Sequence, residues 1–148
     1  RSYKREIGIT LFRDSLKGIY TESSGVLISE DTLFAETFTL EGMKLNGDVN
    51  LVLNAGWVNC FYHTGTSNLT LNGKTGYANY YTAGNGYIFG RNLRAKKSYV
   101  DHYGSGDIHV YGSEEFEAIN YRTGNIYYYG DPLTADYHNE STGKVFKK

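Results

Sequence analysis

The sequence predicts an all-β chain wound into a right-handed parallel β-helix of about 18–20 residues per coil, with an irregular N-terminal cap. Three observations carry that prediction. A phrase of tyrosine, any residue, a small residue and glycine recurs as Tyr62-His63-Thr64-Gly65, Tyr81-Thr82-Ala83-Gly84, Tyr103-Gly104-Ser105-Gly106 and Tyr121-Arg122-Thr123-Gly124, and a shortened copy stands at Ser141-Thr142-Gly143. An alternating apolar stretch follows each copy, which is the period of a strand buried on one face. Finally, the 148 residues hold 18 Gly and 15 Tyr but one Pro, one Met, one Trp and one Cys, a composition of strands and turns.

Taken in order, residues 1–49 form the cap and residues 50–148 the repeated coils of one domain. In the cap, Ile7, Ile9 and Leu11 alternate, as do Phe38 and Leu40, so strands are expected without a period. Arg13 to Ser24 reads as a polar loop, and Ser29-Glu30-Asp31-Thr32 as the start of one helical turn. A terminal coil must close an open core and protect a sheet edge, which explains its irregularity.

Each later coil has a first strand, a turn and a second strand. Asn68-Leu69-Thr70-Leu71 matches Asn50-Leu51-Val52-Leu53 at an offset of 18, and Asn125-Ile126-Tyr127-Tyr128 matches Asp107-Ile108-His109-Val110 at the same offset. These matches predict an inward column of Leu51, Leu69, Ile88, Ile108, Ile126 and Val145, with Leu53, Leu71, Val110 and Tyr128 in the next. Gly56, Gly73, Gly90, Gly112 and Gly130 mark the turns. The second strands cover Trp57 to Tyr62, Tyr77 to Tyr81, Tyr99 to Tyr103, Phe116 to Tyr121 and Leu133 to Tyr137. Successive coils run parallel because the chain always winds the same way, and such crossovers are right-handed in nearly all known cases. Gly90 comes early and Arg91 to Ser98 adds polar length, so a bulge or protruding loop is expected in the third coil. Asn68, Asp107, Asn125 and Lys144 follow the corners and are expected to meet backbone groups or water at the coil edge.

Fifteen basic and sixteen acidic residues leave no nucleic-acid or anionic-membrane footprint, and no stretch approaches the ~20 apolar residues of a transmembrane span. Cys60 has no partner for a disulfide and is expected to pack inside a strand. The carboxylates Asp101, Asp107, Glu114, Glu115, Glu117, Asp131 and Asp136 look scattered in sequence, and the four histidines show no metal spacing. No catalytic residue, metal or cofactor is expected. The chain opens on Arg1, so a processed or truncated product is expected, with any signal or lipid anchor upstream. The candidate ligand-binding residues are Tyr62, Tyr81, Tyr103 and Tyr121, expected as a ladder along one edge, with His109 and Tyr127 on the outer face of the first strands. Flat aromatic faces stack on sugar rings, and hydroxyls bond hydroxyl-rich ligands.

The stretch Gly104-Ser105-Gly106-Asp107-Ile108, with Ala118-Ile119-Asn120-Tyr121-Arg122-Thr123-Gly124-Asn125-Ile126-Tyr127-Tyr128-Tyr129-Gly130-Asp131-Pro132 and Ser141-Thr142-Gly143-Lys144-Val145, resembles the head GIN domain of putative auto-transporter adhesins. The resemblance implies a right-handed β-helix-like fold in secreted or surface-anchored bacterial envelope proteins, and it implies no catalytic residues. The function expected is therefore a non-catalytic cell-envelope or secreted domain displaying a surface for a glycan or a cell-surface protein. The alternatives are a polysaccharide-cleaving lyase or hydrolase on a β-helix, and a purely structural module that stacks end to end.

Overall fold

A computed structural model describes residues 16–22 and 24–148. The predicted strand at Ile7, Ile9 and Leu11 lies outside the described residues. The rest is strand and turn, with no helix among the described residues, stacked as a β-solenoid of about 6 turns. The strands are β1 Gly18–Thr21, β2 Leu27–Ile28, β3 Leu33–Gly42, β4 Val49–Tyr62, β5 Leu69–Thr82, β6 Ile88–His102, β7 Ile108–Asn120, β8 Ile126–Tyr129, β9 Thr134–Asn139 and β10 Val145–Lys147. They join in one sheet whose pairings are all parallel, each coil on the next.

The two strands expected in each coil are continuous in β4 to β7, which bend without breaking. Two expectations in the cap are corrected. Gly18–Thr21, inside the supposed polar loop, is a strand paired with Thr39–Gly42, because the neighbouring coil supplies a full set of backbone partners. Ser29 to Thr32 is a bend, with Ser29 Oγ accepting the Val52 N–H at 2.8 Å, so the serine serves the sheet and not a helix.

The first inward column runs Leu27, Val49, Leu69, Ile88, Ile108, Ile126 and Val145. From Val49 onward the steps are 20, 19, 20, 18 and 19 residues, each the difference between paired positions. Val49 thus replaces the expected Leu51, which pairs with Leu71, while Leu53 pairs with Gly73 and not Leu71. The offset between β4 and β5 is 20 and not 18. A slip of two residues keeps every side chain on its own face, so hydrophobic alternation alone does not distinguish the two registers. Val49, Leu69, Ile88, Ile108 and Ile126 are each at most 1% exposed.

The second arm buries three parallel columns: Phe38, Val58, Ala78, Ser98 and Phe116; Leu40, Cys60, Tyr80, Val100 and Ala118; and Tyr62, Thr82, His102 and Asn120. Each column mixes large and small residues, with Ala78 and Ser98 in the first beside Tyr80 and Val100 in the second, so that the narrow core is filled. Two tyrosines fit only because glycine lies in the next coil. A Cβ on Gly84 would strike the Tyr62 ring, and one on Gly90 would lie 2.7 Å from the Tyr80 hydroxyl. Gly90 is therefore a socket for Tyr80, where the sequence suggested a turn. The expected bulge is present: pairing shifts between Thr70 and Asn72 against β6, and again between Phe89 and Lys97 against β7.

The corner is held by a second glycine column, Gly86, Gly106, Gly124 and Gly143, in which a Cβ on each would overlap a carbonyl oxygen of the coil before it, Ser67 for Gly86. Gly84 of the repeated phrase sits outside this column. Beside it the side chains of Asp48 and Asn68 accept the N–H groups of Asn68 and Tyr87, at 3.0 and 3.3 Å. Asp107 and Asn125 likewise accept those of Asn125 and Lys144, at 2.8 and 3.1 Å. Asn68, Asp107 and Asn125 thus close the chain coil to coil through their side chains, as expected, while Lys144 takes part through its backbone N–H.

Candidate functional site

On the second arm, outward side chains fall into three ladders because strand residues alternate between faces. One is Glu41, Phe61, Tyr81, Asp101, Ile119 and His138; the next is Thr39, Asn59, Asn79, Tyr99, Glu117 and Asp136; the third is Thr37, Trp57, Tyr77, Lys97, Glu115 and Thr134. Where they meet, Glu41, Phe61, His63, Tyr77, Asn79, Tyr81, Tyr99, Asp101 and Glu117 line an open groove of about 650 Å³.

Aromatic rings form its floor and rim. Trp57, half-exposed, packs on Tyr77 at 4.4 Å between centroids, and Tyr81 lies 5.5 Å from both His63 and Tyr103. Tyr103 and Tyr121 continue along the edge, stacked at 4.1 Å and 7°. The neighbouring Tyr121 hydroxyl holds the Tyr103 hydroxyl up to about 12. Carboxylates lie at both ends. At one end His63 Nε2 is 3.1 Å from Glu41 Oε1. At the other the Tyr99 hydroxyl donates to Asp101 Oδ1 at 3.1 Å. Lys97 bonds Glu115 at 2.6 Å and holds its carboxyl below the usual range, while the hydrogen bond that the Glu117 carboxyl donates to Glu115 when protonated pushes Glu117 above it.

The sequence candidates divide between three places. Tyr81 lies in the groove, and Tyr103 and Tyr121 extend it. Tyr62 is fully buried and drops out of the ladder, because the phrase that aligns Tyr62 with Tyr81 is one residue out of structural register: Tyr62 pairs with Thr82 and Phe61 with Tyr81, and the ring that meets Tyr81 at the edge is His63. His109 and Tyr127 lie on the first arm, in a ribbon Tyr87, Phe89, His109, Tyr127 and Phe146 with successive centroids 6.0, 5.7, 4.7 and 5.3 Å apart. Burial holds the His109 imidazole below its ordinary value.

The carboxylates also require correction. They look scattered along the chain, but coiling brings Asp101, Glu115, Glu117 and Asp136 onto adjacent positions of one face. No group of three or more His, Cys, Asp or Glu suited to a metal occurs among the described residues. The sequence reading missed Glu41, Phe61, Tyr77, Asn79, Tyr99, Asp101 and Glu117 as a set. Their signal was present in the alternate positions of the second strands, once those strands are aligned by inward residues and not by the tyrosine phrase.

A family model described as "Putative auto-transporter adhesin, head GIN domain" matches residues 2–132. The chain belongs to this head GIN domain family. A solved structure of a putative adhesin from Bacteroides fragilis NCTC 9343 is similar, with 25% identity and a TM-score of 0.84 over 90% of this chain. This chain spans 61% of that one. Among curated proteins nothing matches. The family match and the structural likeness agree with the resemblance carried by residues 104–145, and they support an adhesin-like β-solenoid. No helix among the described residues is long and apolar enough to cross a membrane, which says nothing of β-barrels.

Proposed function

We propose that this head GIN domain is a non-catalytic binding module of the bacterial cell surface or of a secreted protein, and that the second-arm groove holds a carbohydrate. The observation that carries the reading is the groove itself, in which Phe61, Tyr77, Tyr81 and Tyr99 lie with Asn79 between carboxylates on a continuous sheet. Such a lining gives apolar ring faces for sugar rings and polar groups at their edges. The sheet fixes these side chains coil on coil, so little conformational freedom is lost on binding. Adhesion to a surface protein is the second reading, favoured by the exposed rings Phe34, Trp57, Phe89 and Phe146 that lie outside the groove.

A cleaving activity has one observation in its favour, the unequal carboxyls of Glu115 and Glu117. These two stand on one strand, two residues apart and open to solvent, whereas glycosidase carboxylates face each other across the scissile bond. The test is a glycan array with the folded domain and with Tyr81→Ala and Tyr77→Ala, read for binding and for release of reducing ends. Binding lost in both variants without release is the expected result. Release of reducing ends would replace the binding reading with an enzymatic one, and absence of all binding by the folded domain would remove it.

A further inference from the structure

The groove carries more charge than a neutral sugar needs. Glu41, Asp101 and Glu117 are its acidic lining residues, and His63, already beside Glu41, is its basic one. The nearest lysine, Lys97, is turned to Glu115 at 2.6 Å. Glu41 and Asp101 share one ladder, joined through Phe61 and Tyr81, so they lie three coils apart, roughly 14 Å at ~4.8 Å per coil. Between them come the aromatic faces. The groove thus has carboxylates at both ends, Glu41 beside His63 at one and Asp101 with Glu117 at the other, and rings between.

Resting on the carbohydrate reading above, we propose that the ligand is an oligosaccharide of amino sugars with free, protonated amines. A sugar ring stacks on Tyr81 and Tyr77 while its ammonium meets a carboxylate or the face of a neighbouring ring, an attraction that aromatic faces offer to cations. Asp101 and Glu117 hold one ammonium and Glu41 another. A single lysine side chain reaches only one of the two ends and leaves the ring faces unused. Acetylation of the amine removes the charge but not the ring, so charge and stacking separate cleanly.

The experiment titrates the domain with three probes: a hexamer of β-1,4-linked glucosamine, its fully N-acetylated counterpart and hexalysine. The glucosamine hexamer is expected to bind about tenfold more tightly than the acetylated one, the scale of one or two partly shielded ion pairs. Asp101→Asn with Glu117→Gln should erase that preference, whereas Tyr81→Ala should weaken both saccharides. Equal or tighter binding of the acetylated hexamer overturns the amino-sugar inference and leaves the carbohydrate reading standing. Hexalysine binding as tightly as the glucosamine hexamer overturns it as well, since the rings would then contribute nothing. If neither saccharide binds, both readings fall. The comparison of probes on the unmutated domain decides the matter even where the double variant is unstable.

Discussion

Replacing Gly86 with Ala tests the stacking that supports the groove. A Cβ at Gly86 would overlap the carbonyl oxygen of Ser67 and lie 2.6 Å from its carbon and 2.9 Å from that of Thr66, all backbone atoms of the coil below. Backbone cannot rotate away as a side chain can, so the two coils must separate locally. Separation by an ångström or more breaks one or two buried hydrogen bonds, at about 1–3 kcal/mol each, and opens the packing of Ser67 and Leu69. The expected loss is about 3–5 kcal/mol, a large part of the 5–15 kcal/mol typical of a domain. Gly56→Ala is the milder comparison, since its Cβ would crowd one backbone atom, the Glu36 oxygen at 2.9 Å, where a Cβ at Gly86 overlaps one backbone atom and crowds two more. About 1 kcal/mol is expected there. Urea unfolding followed by circular dichroism gives both values. Equal losses in the two variants, or a loss below about 0.5 kcal/mol for Gly86→Ala, would show that the corner contacts do not hold the coils together.

Two further outcomes follow from buried titratable groups. His102 is 1% exposed, and burial lowers its imidazole from 6.5 to about 4. The folded state therefore resists protonation that the unfolded chain accepts, so stability is full above pH 6.5 and falls as pH drops toward 4, by about 3 kcal/mol in all. Urea midpoints across that range should decline less for His102→Asn than for the unmutated chain, and an identical decline would count against the assignment. Cys60 is fully buried and its thiol is pushed up to about 12, so a thiol reagent at pH 8 should label it only after unfolding. Rapid labelling of the native domain would contradict its place in the core.

Much of this fold was readable because parallel stacking imposes the same requirement on every coil. The column Leu69, Ile88, Ile108, Ile126 and Val145 follows from alternation and period alone. The two-residue slip at Leu51 and Leu53 escaped notice because it leaves inside and outside unchanged. Tyr62 was misplaced for a different reason: tyrosine serves both as core filler and as surface ring, and only the glycine at position 84 reveals which. The groove was harder to see. Its residues come from coils about twenty positions apart, and Glu41 belongs to a segment that shows no period. Convergence of Asp101, Glu117 and Asp136 depends on register across three coils, where an error in any one moves a carboxylate to another ladder.

The most direct test of the groove as the binding surface is a nuclear magnetic resonance titration of the labelled domain with the saccharide that it binds. Shifts centred on Asn79, Tyr81, Tyr99, Asp101 and Glu117 are expected. Shifts centred instead on Phe89, His109 and Tyr127 of the first arm would contradict that role of the groove.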